Sequence, residues 1–378
     1  MRPKGLPRKT LLYELKKIRN LNQNYDNGKI LCSMCTKPHP IAEKAYRMFF
    51  ESNLGDSGLF PGSVQIEKEV MQELAVLFHG DHARGFLVSG GTEANLMAML
   101  AARNMAKVSV PEVILPESAH FSFTKICNLL NLKPVYAGLD GSFKVNPSEV
   151  ENLIGRNTVA IVGTAGTAEL GAVDPIDKLS EIALQHGVSL HVDAAFGGLV
   201  IPFLKNCQSR FDFGLDGVKS VTVDPHKMGM AAIPAGGILF KDATTLDYIK
   251  TETPYLTDKA QYTFVGTRTG ASAASVWAVF KALGMEGYLK VVGKCMENTR
   301  LLSNGLENAG FKLVVKSTLN LVAFRSDNTK GLAEKLWRRG WFVSYVPRYD
   351  CIRIVVMPHI KKRHVAAFLG ELGQIEKL

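Results

Sequence analysis

The middle of the chain alternates short apolar segments with segments of helical periodicity. Because parallel strands need a crossover connection, usually a helix, this alternation predicts a mostly parallel sheet with helices on both faces. About ten residues of helical pattern separate several of the strands, as at 176–186. The predicted strands are 85–89, 112–115, 134–137, 159–163, 189–193, 221–223 and 236–240.

The pattern changes near residue 270. Helical segments at 271–283, 288–309, 332–338 and 362–372 alternate there with strand-like segments at 313–315, 321–324 and 352–356. A chain of 378 residues can bury one large core and a smaller one. We therefore predict an N-terminal arm of helices over 1–52, a large domain over 53–269 and a small α+β domain over 270–378.

Composition limits the class of protein. Apolar residues make up 46% and charged residues 21%, which is typical of a soluble globular enzyme. No apolar run reaches the ~18 residues that a membrane span needs, and the basic N-terminus lacks a following apolar region. The sequence predicts a cytoplasmic protein without membrane contact.

The net charge of +10 could indicate a nucleic-acid partner, but much of the excess lies at the two ends of the chain. No aromatic-basic repeat, helix-turn-helix or finger pattern accompanies it, so we interpret it as solvated surface charge. Nucleic-acid binding remains a distant alternative.

The cysteines do not predict a metal site. Cys32 and Cys35 form a C-x-x-C motif, but no second ligand pair at similar spacing completes a zinc site. The motif lies in a loop-like segment rather than at a helix start, which argues against a thioredoxin-like role. Reduced thiols in a reducing compartment are the preferred interpretation for all six cysteines, which are Cys32, Cys35, Cys127, Cys207, Cys295 and Cys351.

Asp193 and Lys227 carry the strongest chemical signal. A lysine amine can form a Schiff base with an aldehyde cofactor, and a carboxylate at a buried strand end can keep a pyridine nitrogen protonated. Together they indicate pyridoxal 5'-phosphate (PLP), the electron sink for a carbanion beside an amine. Apolar residues follow Lys227, so we expect a partly desolvated, neutral amine. The alternatives are a surface lysine, and a helix cap or metal ligand for Asp193.

Weaker signals surround this pair. Gly90, Gly91 and Thr92 join a predicted strand to a helix, where glycines and free N–H groups can accept an anion, although many such turns bind nothing. His120 follows another strand and could stack on an aromatic cofactor, although a lone histidine is more often structural. Ala195 is small enough to lie beneath a flat ring.

At this point several motifs match a known family. They are Ser-Gly-Gly-Thr-Glu-Ala-Asn (89–95), Ala-His-Phe-Ser-Phe (119–123), His-Val-Asp-Ala-Ala-Phe-Gly-Gly (191–198), Asp-Pro-His-Lys-Met-Gly (224–229) and Gly-Thr-Arg-Thr-Gly-Ala (266–271). The chain resembles the group II PLP-dependent amino-acid decarboxylases nearly end to end, most of all the short archaeal tyrosine/aspartate decarboxylases. The resemblance implies PLP fold type I, an aspartate-aminotransferase-like architecture with a seven-stranded, mostly parallel sheet.

The resemblance also implies cofactor contacts. Lys227 would carry the Schiff base and Asp193 would pair with the pyridine nitrogen. His120 and Ala195 would lie on opposite faces of the ring. The phosphate would be held by Gly91, Thr92 and His226.

Three further roles follow from the resemblance. Thr267 would reach the phosphate of the neighbouring subunit's cofactor, so that a homodimer would share its active sites. Arg353 would lie near the substrate carboxylate, and Tyr255 is a candidate proton donor.

The chain departs from its relatives at two places. Gly-Thr-Ala at 166–168 replaces the usual Gly-Thr-Thr, so that a hydroxyl near the cofactor's phenolic oxygen would be absent or supplied by Thr167. Ser57 and Ser63 stand where proline and threonine are common, in a loop expected to border the substrate.

The resulting hypothesis is PLP-dependent α-decarboxylation of an L-amino acid. The substrate would be L-tyrosine, giving tyramine, or L-aspartate, giving β-alanine, for methanofuran or coenzyme A synthesis. The alternatives are another fold-type I lyase that cleaves a C–C or C–S bond and, far behind it, a basic nucleic-acid-binding protein.

Overall fold

The computed structural model describes residues 1, 3–205 and 209–375, so Cys207 lies outside the described residues. All seven predicted strands are present and form one sheet in the order β1-β7-β6-β5-β4-β2-β3. β2 to β6 run parallel, and β7 is antiparallel to both of its neighbours, which confirms the predicted fold class. The strands are β1 (Arg84–Val88), β2 (Glu112–Pro116), β3 (Lys133–Ala137), β4 (Thr158–Thr164), β5 (Ser189–Asp193), β6 (Val218–Val223) and β7 (Gly236–Phe240).

Helices cover both faces of this sheet. Neighbouring residues of a strand point to opposite faces, and on β4 Ile161 packs into one hydrophobic cluster while Val162 packs into another. The short α6 is not among the elements predicted from the sequence. The helices of this part are α1 (Arg8–Arg19), α2 (Pro40–Met48), α3 (Pro61–Leu77), α4 (Gly91–Ala106), α5 (Ser122–Leu130), α6 (Pro147–Leu153) and α7 (Ile176–His186).

A short hairpin of β8 (Thr251–Glu252) and β9 (Ala260–Gln261) leads to the long helix α8 (Gly270–Asn308). The sequence predicts two helices here, at 271–283 and 288–309, and α8 does consist of two helical segments that meet at a kink at Gly284, whose φ is +54°. Glycine adopts this left-handed conformation at little cost. The predicted domain boundary at 270 coincides with the first residue of α8, although the limits of the domains stay a prediction.

The C-terminal part folds around a four-stranded antiparallel sheet in the order β10-β11-β13-β12. Its own hydrophobic cluster includes Phe324, Leu336 and Phe368. Within the described part of the chain, no helix is both long and apolar enough to cross a membrane. The elements are β10 (Lys312–Leu313), β11 (Leu321–Arg325), α9 (Thr329–Arg338), β12 (Ser344–Val346), β13 (Cys351–Val355) and α10 (Lys362–Ile375).

An N-terminal segment, residues 30–39, connects the small sheet with the large one, and we call it the N-terminal strap. Leu31 donates its N–H to the carbonyl of Phe342 at 2.8 Å and accepts from the N–H of Val355 at 2.8 Å. At its other end, His39 donates to the carbonyl of Met230 at 2.9 Å, three residues beyond Lys227. The strap therefore crosses from the small sheet to the loop after β6.

Candidate active site

A cavity of about 320 Å³ lies at the edge of the large sheet where β1, β2, β4, β5 and β6 end. This is the edge at which open α/β sheets bind ligands, and the volume is in the range of small-molecule sites, roughly 300–1,000 Å³. The structure thus brings together seven of the predicted residues from the ends of four strands, β1, β2, β5 and β6. They are Gly91, Thr92, His120, Asp193, Ala195, His226 and Lys227.

Lys227 is ion-paired inside this cavity. Its Nζ lies 2.9 Å from Oδ2 of Asp224, and a backbone hydrogen bond of 2.9 Å between the same residues closes the turn. Burial lowers the pKa of Lys227, but the attraction of Asp224 and Asp193 outweighs it, so the pKa is raised overall. The expectation of a neutral amine was therefore wrong for the protein alone, because sequence reasoning overlooked Asp224.

Asp193 ends β5 and is fixed by two donors. Asn95 donates from Nδ2 to Oδ2 at 2.9 Å, and the N–H of Ala195 donates to Oδ1 at 3.1 Å. Asn95 is a second residue that sequence reasoning missed. Its position one turn after Gly91 on α4 was the available signal, since residues four apart share a helix face.

His120 lies between β2 and α5 and faces the cavity. Its Nδ1 lies 2.9 Å from Oγ of Ser122, whose N–H also points to it at 3.3 Å. Burial lowers the pKa of His120, and Asp193 opposes the shift without reversing it. A neutral imidazole in this position can lie flat against an aromatic ring.

The loop before α4 has the features of an anion site. A β-carbon on Gly91 would come within 3.1 Å of both Ala195 and Asp224, so a side chain there would enter the cavity. Glu93 holds the loop by accepting from the N–H and Oγ of Ser89, at 2.8 and 2.7 Å. His226 donates from Nδ1 to the carbonyl of Ala235 at 2.6 Å, and its Nε2 atom lies 3.9 Å from Oδ2 of Asp224.

Three predicted residues do not line this cavity. Thr267 is exposed, and Tyr255, on the loop between β8 and β9, is 86% exposed. Arg353 on β13 donates to the carbonyl of Ala168 at 2.7 Å and to that of Cys32. Burial lowers the pKa of Arg353. Its guanidinium group therefore ties the strap to a residue of the cavity wall.

The substituted segment at 166–168 contributes Ala168 to the cavity, whereas the Thr167 hydroxyl accepts from the N–H of Ala172 at 3.0 Å. Thr167 itself does not line the cavity. Thr164, at the end of β4 and in register with Asp193, lines the cavity instead. Its Oγ1 is buried without a hydrogen-bond partner among the described residues.

The other substituted positions lie away from the cavity. Ser57 donates to the carboxylate of Asp258, near the hairpin of β8 and β9. Ser63 is buried in the first turn of α3. Met34 of the N-terminal strap lines the cavity although no prediction singled it out.

The donors and acceptors of the cavity fit PLP. Besides Thr164 Oγ1, the Oδ1 atom of Asp224 is buried and has no partner within the described ranges. Buried polar atoms are usually paired, so these two indicate a polar ligand. The amine of Lys227, the carboxylate of Asp193 and the turn at Gly91 offer partners for an aldehyde, a pyridine nitrogen and a phosphate.

Comparisons with known proteins agree with this chemistry. Residues 52–327 match the family model described as the pyridoxal-dependent decarboxylase conserved domain. A probable L-tyrosine/L-aspartate decarboxylase of Methanothermobacter thermautotrophicus is 51% identical over 93% of this chain and 98% of its own length. An L-aspartate decarboxylase of Thermococcus kodakarensis is 48% identical over 99% and 98% of the two chains.

Among solved structures, a sphingosine-1-phosphate lyase of Burkholderia pseudomallei superimposes with a TM-score of 0.92 at 27% identity. The match covers 100% of this chain and 92% of the other. The fold is therefore shared over the whole described chain, including the small sheet and the strap.

Proposed function

The chain belongs to the pyridoxal-dependent decarboxylase family, and on this premise we propose that it releases carbon dioxide from L-tyrosine, L-aspartate or both. It is a PLP-dependent amino-acid decarboxylase. The observation that carries the proposal is the convergence of Lys227 and Asp193 in one cavity beside a glycine turn. When bound, PLP supplies the electron sink that accepts the electrons of the broken Cα–carboxylate bond.

Each cavity residue has a task in this proposal. Lys227 must lose a proton before it can attack an aldehyde, and Asp224 is the adjacent acceptor at 2.9 Å. Asp193 would keep the pyridine nitrogen of PLP protonated, while His120 and Ala195 would confine the ring. Gly91, Thr92 and His226 would hold the phosphate, and the Thr164 hydroxyl, which lacks a partner among the described residues, would be available to the phenolic oxygen.

The two proposed substrate contacts, Arg353 and Tyr255, lie outside the lining of the cavity. Arg353 is the proposed anchor for the α-carboxylate, and in the described chain it also fixes the carbonyls of Ala168 and Cys32. Such an anchor holds the bond to be broken in one orientation, which is the main determinant of which bond reacts. Tyr255 is the proposed proton donor and, since it is exposed, its loop must move over a site before it can act.

We also propose a homodimer in the cytoplasm. Two exposed features support it: Thr267, expected to reach a neighbouring cofactor, and helix α1, which buries none of its residues although Leu11, Leu15 and Ile18 lie along it. Tyramine or β-alanine from this reaction would serve methanofuran or coenzyme A synthesis.

A second candidate function is cleavage of a C–C bond. The similarity to a sphingosine-1-phosphate lyase at 27% identity favours it over cleavage of a C–S bond. In a single protomer, the cavity volume of about 320 Å³ argues against a substrate with a long alkyl group.

The decisive experiment follows carbon dioxide released from carboxyl-labelled L-tyrosine, L-aspartate and L-glutamate by the PLP-loaded protein. We expect release from tyrosine or aspartate with tyramine or β-alanine as the amine product, and none from Lys227→Ala. Cleavage of a C–C bond to an aldehyde needs a hydroxyl group on the β-carbon, so release of an aldehyde from L-threonine without carbon dioxide would support this second function. Wild-type turnover by Lys227→Ala would overturn the proposed role of the lysine.

A further inference from the structure

A chain of hydrogen bonds runs behind the cavity from β6 to the carboxylate of Asp193. Ser220 Oγ lies 2.8 Å from Nδ1 of His191, and Nε2 of His191 lies 3.0 Å from Oδ1 of Asn95. Asn95 Nδ2 then lies 2.9 Å from Asp193 Oδ2. Asn95 and His191 are each only 1% exposed, so water does not compete for these bonds.

The carboxylate of Asp193 determines which atom donates and which accepts in every hydrogen bond of this series. An ionised Asp193 only accepts, so the Asn95 amide must present its NH₂ group to it and its oxygen to His191. His191 must then carry its proton on Nε2, because Asn95 Oδ1 needs a donor, and Nδ1 is left to accept from Ser220. Burial lowers the pKa of His191 to about 4, so the ring is neutral and has one proton to place.

The same amide also reaches the other side of the cavity. Its second N–H points to Oγ of Ser122 at 3.4 Å, and that hydroxyl lies 2.9 Å from Nδ1 of His120. A hydroxyl that accepts from Asn95 is free to donate to His120, whose proton is then on Nε2. One side chain is thus connected to both the carboxylate and the imidazole that face the cofactor position.

We infer that Asn95 is a positioning residue that holds the carboxylate of Asp193 in place at the cavity and orders His191 and His120 as Nε2–H tautomers. The inference rests on the proposed function, because it assigns Asp193 to the pyridine nitrogen. Asn95 acts through these groups: its amide is the one side-chain donor to Asp193 among the described residues. Its removal should therefore weaken cofactor binding and the electron sink while leaving the fold intact.

The first test is Asn95→Asp, which changes the shape of the side chain very little. Two carboxylates about 3 Å apart cannot both ionise, so they share one proton, and Asp193 keeps only part of the negative charge that would pair with a pyridinium. We expect PLP to bind at least about tenfold more weakly, as measured by fluorescence quenching, with an altered visible absorbance band and a lower kcat. Asn104→Asp is the matched control, since Asn104 is on the same helix but bonds the carbonyl of Tyr248.

The second test uses His191 and remains informative even if Asn95→Asp does not fold. His191→Gln keeps a donor for Asn95, whereas His191→Leu removes it, so PLP affinity should be retained by the first and lost by the second. Equal PLP affinities in these two variants would mean that His191 only fills space, and would overturn the inference. So would an Asn95→Asp variant with wild-type affinity and absorbance.

The inference and the proposed function can fail separately. A wild-type protein that bound no PLP would overturn both. A wild-type protein that bound PLP and decarboxylated its substrate, with unchanged variants at Asn95, would overturn the inference alone.

Discussion

At the scale of single residues, the pairing of Lys227 with Asp224 controls when the amine can react. The ion pair holds the pKa of Lys227 above its ordinary value despite burial. An amine attacks an aldehyde only when it is neutral, so in the free protein Asp224 raises the pH at which Lys227 can react. The same carboxylate is also the base that can take the proton from Lys227.

Asp224→Asn should therefore shift the pH profile of Schiff-base formation to lower pH. The substitution removes the attraction of Asp224, the largest of those that raise the pKa of Lys227, and leaves the smaller attraction of Asp193 against burial, which lowers the pKa. The measurement is the rate of absorbance change after PLP is mixed with the apoprotein across a pH series. Asp212→Asn, at a buried carboxylate that bonds His79 instead, is the control. A profile identical to that of wild type would contradict the role of the ion pair.

The site was predictable where residue type and strand position sufficed. Lys227, Asp193 and His120 follow strand ends, and parallel strands bring their ends to one edge. Asn95 and Thr164 were not singled out, because their role depends on helix phase and strand register rather than on a motif. The charge of Lys227 was missed for a related reason. Whether the carboxylate of Asp224 contacts the Lys227 amine depends on the geometry of the turn, which a sequence does not display.

At the scale of elements, the N-terminal strap is the least predictable part of the site. It lies outside the matched family region of 52–327 and has no periodic pattern, yet it contributes Met34 to the cavity. Long-range bonds hold it in place, chiefly those of Leu31 and Arg353. By contrast, short apolar segments made the strands of the large sheet predictable, and a period of 3.6 residues did the same for most of its helices.

Arg353→Leu should destabilise the apoprotein as well as impair substrate binding. The change leaves the carbonyls of Ala168 and Cys32 without their donor, at a cost of about 2 kcal/mol in the free energy of unfolding. Urea denaturation without PLP or substrate measures it.

Arg348→Leu is the matched control for this substitution. Arg348 forms a more exposed ion pair with Glu117, which should contribute less than about 1 kcal/mol to the free energy of unfolding. Equal stability of the Arg353→Leu and wild-type apoproteins would mean that Arg353 acts on the substrate alone.

At the scale of the whole molecule, the exposed apolar residues of α1 are expected to be covered by a second copy. Leu15→Glu places a charge on that face and should shift the protein from dimer towards monomer, since burying an unpaired charge is costly. Analytical ultracentrifugation at several concentrations measures the shift, and Glu14→Gln is the control on the same helix. A dimer of unchanged affinity would place the interface elsewhere.

The whole fold should also lose stability in mild acid through its buried histidines. His359 donates from Nε2 to the carbonyl of Ile30 at 2.9 Å, and its Nδ1 lies 2.9 Å from the Thr36 hydroxyl. Burial lowers the pKa of His359 to about 4, as it does for His191. The folded protein thus binds a proton at His359 less readily than the unfolded chain does. The resulting contribution to the free energy of unfolding is complete above the unfolded pKa of ~6.5 and is lost as the pH falls towards 4. Burial raises the pKa of Asp174 to about 6, so Asp174 stabilises the folded state as the pH falls and opposes this loss.

Comparison with a variant that cannot titrate isolates the contribution of His359. His359→Gln can keep both hydrogen bonds through its amide, so between pH 7.5 and pH 5 wild type should lose roughly 2 kcal/mol more unfolding free energy than the variant. Urea denaturation of the apoproteins at the two pH values measures the difference, and His82→Gln, at an exposed histidine, should behave like wild type. Parallel losses in wild type and His359→Gln would show that His359 is already protonated in the folded protein near pH 5, or that the strap opens before the ring titrates.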